Sequence, residues 1–360
     1  MQFMLVAESN QMSAPTVLML LGSTGLYIAS RAAVDALGRF DGPSGGLGRM
    51  PSPGLIALGH WVPIVALAGL ATARGLSHVA LGIVFGSSVA ALSLAMGLVT
   101  YLVPPSSLPL SRRAWPFLLP GVMVPLLGGF AGQLTGLHAL ILLVLGAIAW
   151  SIWRGSAGEM NPAEALAAAL PVPNAAANGA ASRGAANFLV LRVIQWLLAV
   201  GLALLGARMT LIGAAGAEAH SRVLSAGLLA TAVFSPLIVL PIIASGTDLA
   251  HHGRSGDAAA ALIGLVMLNL FALLPMVILF WYVHASGQVS YQAGLLAFWA
   301  RLEPLPLPMA LWRIDLVILT IIALVMIPVA LGRWALGRLE SAGLVFGYVA
   351  YLLASLWFRL

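Results

Sequence analysis

The chain reads as an all-α integral membrane protein, ten transmembrane helices arranged as two inverted five-helix repeats, and three observations predict this. Hydrophobic residues make up 61% of the 360 and charged residues 8%, with a mean hydropathy of +1.02. That leaves too little polar surface to cover a soluble core of this size. Ten apolar runs are long enough to cross about 30 Å of hydrocarbon as helices, which takes about 20 residues each. Finally, two stretches that begin at Pro63 and Pro241 repeat each other.

In chain order the predicted spans lie near 16–37, 54–73, 78–103, 115–132, 136–153, 189–213, 223–249, 258–284, 309–332 and 340–358. No basic segment precedes the first run and no small-residue cleavage site follows it, so it is expected to span the membrane rather than be removed. Residues 1–15 are expected to form a short polar tail. Residues 154–188, rich in Ala, Pro, Asn and Gly, have no apolar face to bury and read as a flexible linker. The linker divides a first five-helix repeat, 1–153, from a second, 189–360. A second long connection, 285–308, carries GLLAFWARLEPLPLP, which fits a short interfacial helix ended by its prolines.

The net charge of +6 comes entirely from arginine, because the chain has no lysine. Arginines that bind nucleic acid would cluster on one face; here they sit at span ends instead. Arg39, Arg49, Arg112, Arg113, Arg154, Arg183, Arg254, Arg333 and Arg338 follow odd-numbered spans, against Arg74, Arg222, Arg301 and Arg359 after even-numbered ones. That bias predicts cytoplasmic odd loops and external termini, in a bacterial inner membrane. An odd number of spans per half then forces the halves into opposite orientations. The absence of cysteine excludes disulfides, thiolate catalysis and cysteine metal sites. Trp115, Trp150, Trp153, Trp281, Trp312, Trp334 and Trp357 fall near predicted helix ends, where indoles favour the headgroup region.

The repeat is offset by 178 residues. Pro63/Pro241, Ile64/Ile242, Ala66/Ala244, Gly75/Gly253, Ser77/Ser255, Ala80/Ala258, Gly86/Gly264 and Leu92/Leu270 match, where this composition would give roughly three matches by chance. A duplicated helix pair points to a transporter. Pro63 in the second span, and Pro236 and Pro241 in the seventh, each remove a backbone donor. Interruptions at equivalent places in both halves are expected to mark a central site; a packing kink is the plainer alternative.

At these residues the chain resembles the sodium/calcium exchanger (calcium:cation antiporter) family. That family carries G-[TS]-S-x-P-E on its second and seventh helices and, about 23 residues later, G-S-N-x-x-N on its third and eighth. Here Gly59-His60-Trp61-Val62-Pro63-Ile64 precedes Gly86-Ser87-Ser88-Val89-Ala90-Ala91, and Leu237-Ile238-Val239-Leu240-Pro241-Ile242 precedes Gly264-Leu265-Val266-Met267-Leu268-Asn269. Proline and glycine are 23 residues apart in both halves. Looser apolar likeness extends over nearly all of residues 16–358. The resemblance implies the two inverted five-helix halves and a cation pathway between helices 2, 3, 7 and 8.

The motifs are eroded where their chemistry lies. Calcium prefers six to eight oxygen ligands, usually including carboxylates, yet Ile64 and Ile242 stand where the family places glutamates. Ser88, Ala91 and Val266 replace motif asparagines, and Asn269 alone remains. Trp61 replaces a small hydroxyl residue, and its indole is expected to fill much of any ion cavity. The candidate pathway is therefore His60, Trp61, Pro63, Ser87, Ser88, Ser235, Pro241, Ser245 and Asn269, with Ser93 and Thr247 nearby. Hydroxyls and an amide suit sodium, a proton relay or a neutral solute. The same serines equally suit bonds to their own helix carbonyls. An imidazole titrates near neutral pH, which leaves His60 a proton-coupled role beside that of a satisfied interior histidine.

Asp248, His251 and His252 share a helix face, which makes a metal patch geometrically possible; a solvated helix terminus before Gly253 explains them as well. Asp35, Glu218, Asp315 and Glu340 lie near span ends, where charges reach the interface. No nucleophile elbow, HExxH pair or Walker loop is present, so neither an enzyme nor a cofactor is expected. The reading is a membrane secondary transporter of exchanger architecture that is not calcium-selective. Its partners would be the bilayer and a small cation or solute. A non-transporting pseudo-exchanger, kept as a membrane scaffold, is the alternative.

Overall fold

The computed structural model describes residues 2–38, 52–103, 117–157, 181–221, 225–286, 303–330 and 336–359. They form ten helices: α1 Gln2–Gly38, α2 Pro53–Ala73, α3 Ser77–Leu102, α4 Leu118–Ala131, α5 Gly136–Ala157, α6 Ala181–His220, α7 Ala226–His251, α8 Ser255–Ser286, α9 from Leu311–Leu316 into Val317–Ala330, and α10 Arg338–Arg359. Eight are long and apolar enough to cross a membrane, and α4 and α5 are shorter apolar helices. The chain is an integral membrane protein.

Two local expectations are corrected. Residues 2–15 continue α1 as helix and are not a tail; Pro15 lies within it, its neighbours held by the packing of α1 along α6. Helices also intrude on the predicted linker, α5 to Ala157 and α6 from Ala181, while 158–180 lie outside the described residues. The predicted interfacial helix falls mostly on 287–302, also outside them; at the prolines that follow, Leu305–Pro306 (β2) is a short strand, antiparallel to Gln133–Leu134 (β1).

The halves are related by inversion. Pro15 lies beside Gly213 and Gly22 beside Gly206, so α1 and α6 run antiparallel over a seam of small residues. Several further pairings have counterparts: α2 packs on α8 as α7 packs on α3, α5 on α8 as α10 on α3, and α4 on its equivalent α9. The end of α2 and the end of α7 are the same device. Gly75 has φ 74° and Gly253 φ 75°, the left-handed conformation that side chains resist. Around them Leu76 N–H donates to Ala71 O at 2.9 Å and Arg254 N–H to Leu249 O at 2.9 Å, closing the same C-terminal cap in each half.

The bundle centre is α3, α8 and the facing sides of α2 and α7. From Val79 to Ser93 every side chain of α3 is buried, as expected of a helix that is apolar all round. The predicted interruptions at Pro63 and Pro241 are not breaks: α2 and the α-helical part of α7 run continuously through them. A single proline removes one intrahelical donor, and packing on both sides holds the remaining turns in place. Pro236 follows directly on the π turn Ala230–Phe234, where the regular helical bonding is already interrupted. The irregular backbone lies elsewhere. Wider π-helical turns occupy Ala90–Ala95 in α3 and Asn269–Leu273 in α8, equivalent positions, and also Ala230–Phe234 and Leu311–Leu316. Such turns leave carbonyls re-aimed inside a membrane helix, tolerable because they are buried in protein.

Candidate functional site

Two groups of buried polar side chains hold most of the predicted pathway's polar residues; other buried pairs, such as Thr100 and Ser341 at 2.7 Å, lie apart from them. The first joins the halves at the middle of the bundle. Asn269, at the first residue of the π turn of α8, is fully buried and donates from Nδ2 to Ser87 Oγ at 3.0 Å and to Ser88 Oγ at 3.3 Å on α3. Those hydroxyls in turn donate to Ile83 O at 2.5 Å and Val84 O at 2.7 Å, one turn back in their own helix. Their protons are thus committed to the backbone and their lone pairs are left to receive the amide. Asn269 Oδ1 is buried with no partner. A carbonyl oxygen without a donor at this depth is costly, so this atom is the one open acceptor of the group.

On another side of α3, Gly86 lets α7 approach closely. A side chain there would collide with Ser235 on α7, whose hydroxyl donates to Ala230 O at 2.8 Å within the π turn. Ser93 and Thr247 likewise donate to carbonyls of their own helices. Most of the pathway hydroxyls predicted from the sequence are therefore bonded locally.

The second group ties α1, α2 and α7 together. His60, fully buried, has Nδ1 2.6 Å from Ser30 Oγ on α1 and Nε2 3.0 Å from Ser245 Oγ on α7. Arg31 Nη1 donates to the same Ser245 hydroxyl at 3.1 Å. With Ser245 receiving that donor, its own proton points most simply at His60 Nε2. The imidazole then carries its proton on Nδ1 and donates to Ser30. Both ring nitrogens are satisfied by a neutral ring. Ser30 and Arg31 were missed by the sequence reading, which counted arginines only at span ends. An arginine inside the first predicted span was the available signal, since intramembrane charge is rare and functional by default.

Of the remaining predicted residues, Pro63 and Pro241 are buried in α2 and α7, beside Ile64, 0% exposed, and Ile242, 1% exposed. These isoleucines occupy the places of the motif glutamates with side chains that hold no cation. Trp61 points elsewhere: it is half-buried and lines a groove facing Trp196 of α6 rather than the centre. A helix turns about 100° per residue, so a histidine at 60 that faces the core sends residue 61 to its flank. A cavity of about 280 Å³ between α2, α5 and α8 is lined by residues such as Ala57, Gly146, Gly264, Met267 and Phe271 and by none of the polar group.

Among the described residues no three His, Cys, Asp or Glu side chains are placed to hold a metal ion. At the end of α7, His252 Nδ1 bonds the Asp248 backbone oxygen at 2.8 Å, as a solvated helix terminus does. Asp315, expected near the interface, is instead fully buried in the π turn of α9 and receives the Tyr351 hydroxyl at 3.1 Å.

The arrangement has known counterparts. It superposes on the H+/Ca2+ exchanger CAX with a TM-score of 0.73 and 15% identity, over 99% of this chain and 90% of that one. The fold is that of the calcium:cation antiporters. The sodium/calcium exchanger from Methanococcus jannaschii shares it at a TM-score of 0.58 and 16% identity, over 95% of this chain and 98% of its own. YfkE in its native form does so at 0.58 and 13%, over 96% and 91%. Neither a protein-family model nor a curated protein sequence matches this chain. The likeness in fold thus extends over nearly the whole chain.

Proposed function

We propose that the chain is a secondary transporter of the antiporter fold, set in a bacterial inner membrane with both termini external, whose centre takes a monovalent cation, a proton or a small neutral solute and not calcium. The observation that carries this reading is the group around Asn269, one unpartnered oxygen and two serine hydroxyls, in a bundle where Ile64 and Ile242 are also buried. Calcium asks for six to eight oxygens with negative charge among them. One amide oxygen and two hydroxyls supply neither, but they suit a small guest that needs few partners. Alternating access would come from one half rocking against the other around this point.

The test is flux through purified protein in proteoliposomes. Calcium uptake driven by a sodium gradient is expected to stay at the level of empty vesicles, whereas sodium or proton flux is expected above that level and to fall in Asn269→Ala. Calcium uptake at a rate like that of a working exchanger would refute the reading.

One observation favours a second reading. Asn269, Ser87, Ser88 and His60 are all fully enclosed, and the neighbouring cavity is apolar. On this reading the bundle is a membrane scaffold without transport. It predicts that no tested ion moves and that Asn269→Ala alters only stability.

A further inference from the structure

We propose that Arg31 is a two-position latch: here it holds α1 to α7 through Ser245, and when the two helices part it turns to Asp35 on its own helix. The exchange sets how α1 sits against α7 whether or not a guest moves, so it does not depend on the transport reading.

Arg31 and Asp35 stand one turn apart on α1 and both are exposed, a spacing that puts the two side chains on one face within reach of each other. No ion pair joins them. The guanidinium instead crosses to a neutral hydroxyl, donating from Nη1 to Ser245 Oγ at 3.1 Å on the other half of the chain. An arginine that passes over a carboxylate on its own helix to reach a serine on another has two partners within range, and the pair not made is the one that needs no α7.

Either arrangement leaves the neighbouring polar atoms partnered. Ser245 receives Arg31 and also bonds His60 Nε2 at 3.0 Å, and His60 Nδ1 bonds Ser30 Oγ at 2.6 Å. When Arg31 leaves, Ser245 keeps the imidazole and the guanidinium gains a carboxylate in place of a hydroxyl, so no buried group is orphaned by the exchange. A bond between a charged donor and a part-buried hydroxyl is worth more than an exposed ion pair on a helix face. The latched arrangement is therefore favoured by a modest margin, which is the condition for a second state that is populated. Packing gives the latch its leverage: α1 lies against α6 over most of its length and meets α7 at far fewer places, so one polar bond weighs more there than in a continuous seam.

The absence of cysteine lets spin labels be placed singly on the full chain. Ile28→Cys on α1 and Leu240→Cys on α7, both exposed and outside the cluster, report the distance between the helices by electron paramagnetic resonance in lipid nanodiscs. Ser245→Ala removes the latch and is expected to raise the ratio of the longer to the shorter distance about tenfold. Asp35→Asn removes the alternative partner and is expected to lower that ratio about twofold, alone or on top of Ser245→Ala. The two variants thus move the equilibrium in opposite directions, which a merely structural role for either residue would not do, and Asp35→Asn, an exposed isostere, keeps the test decisive if Ser245→Ala folds poorly. A ratio unchanged by Ser245→Ala, or one that Asp35→Asn leaves unchanged or raises, would overturn the proposal.

Discussion

Asn269 of the second half reaches Ser87 of the first at 3.0 Å, a bond between side chains 182 residues apart in sequence that meets at the middle of the bundle. The bond is an intersubdomain clasp made from neutral groups, and its strength is correspondingly modest.

Removing the clasp has a bounded cost. Asn269→Ala deletes two hydrogen bonds but also the unpartnered oxygen, whose burial is itself unfavourable. The two serines keep their backbone acceptors, so the expected loss is about 1–2 kcal/mol of stability. Thermal unfolding in detergent measures it. A gain in stability would show that the orphan oxygen outweighs both bonds.

His60 is a larger support. His60→Ala strips the partners from Ser30 and Ser245 and leaves a hole among α1, α2 and α7, for an expected loss of about 2–4 kcal/mol. Ser245→Ala removes one bond to the ring and one from Arg31 and is expected to cost about half as much. A denaturant series on the two variants separates these values.

Putting the carboxylates back should restore a response to calcium. The double variant Ile64→Glu, Ile242→Glu is expected to be several kcal/mol less stable than the parent without metal, because two buried acids must be accommodated. Calcium should then raise its melting temperature, whereas the parent should not respond. Titration of calcium against thermal unfolding is the measurement, and a calcium-induced shift in the parent would contradict the proposed loss.

The two helix caps should differ in their tolerance of alanine although their backbones match. Both glycines have positive φ, and an L side chain there costs about 1–2 kcal/mol. At Gly253 a methyl group meets open space, while at Gly75 it would come 2.9 Å from His284 Nε2. Gly253→Ala is thus expected to show the conformational cost alone and Gly75→Ala somewhat more, by the same unfolding assay.

The helices were legible because hydropathy and length suffice to place a span, the duplication because Pro63, Gly75 and Gly86 recur at one offset as Pro241, Gly253 and Gly264, and the inversion because each half holds an odd number of spans. The local geometry at Pro63 was not legible: the residue advertises a break, but only three-dimensional packing decides whether neighbouring turns hold. Trp61 was misplaced for a related reason. A motif position gives the residue's place along a helix, whereas the side it faces depends on the rotation of that helix within the bundle. Arg31 was overlooked because charges were weighed only at span ends, and its partner Ser245 lies on the other half, 214 residues away.

The matched turns at Gly75 and Gly253 have a mechanical corollary. Each joins two long helices with almost no slack, so α2 with α3 and α7 with α8 behave as stiff levers whose tips are pinned. Were one half to rock against the other as proposed, the stroke would be absorbed along their shafts, where the coils widen at Ala90–Ala95 and Asn269–Leu273.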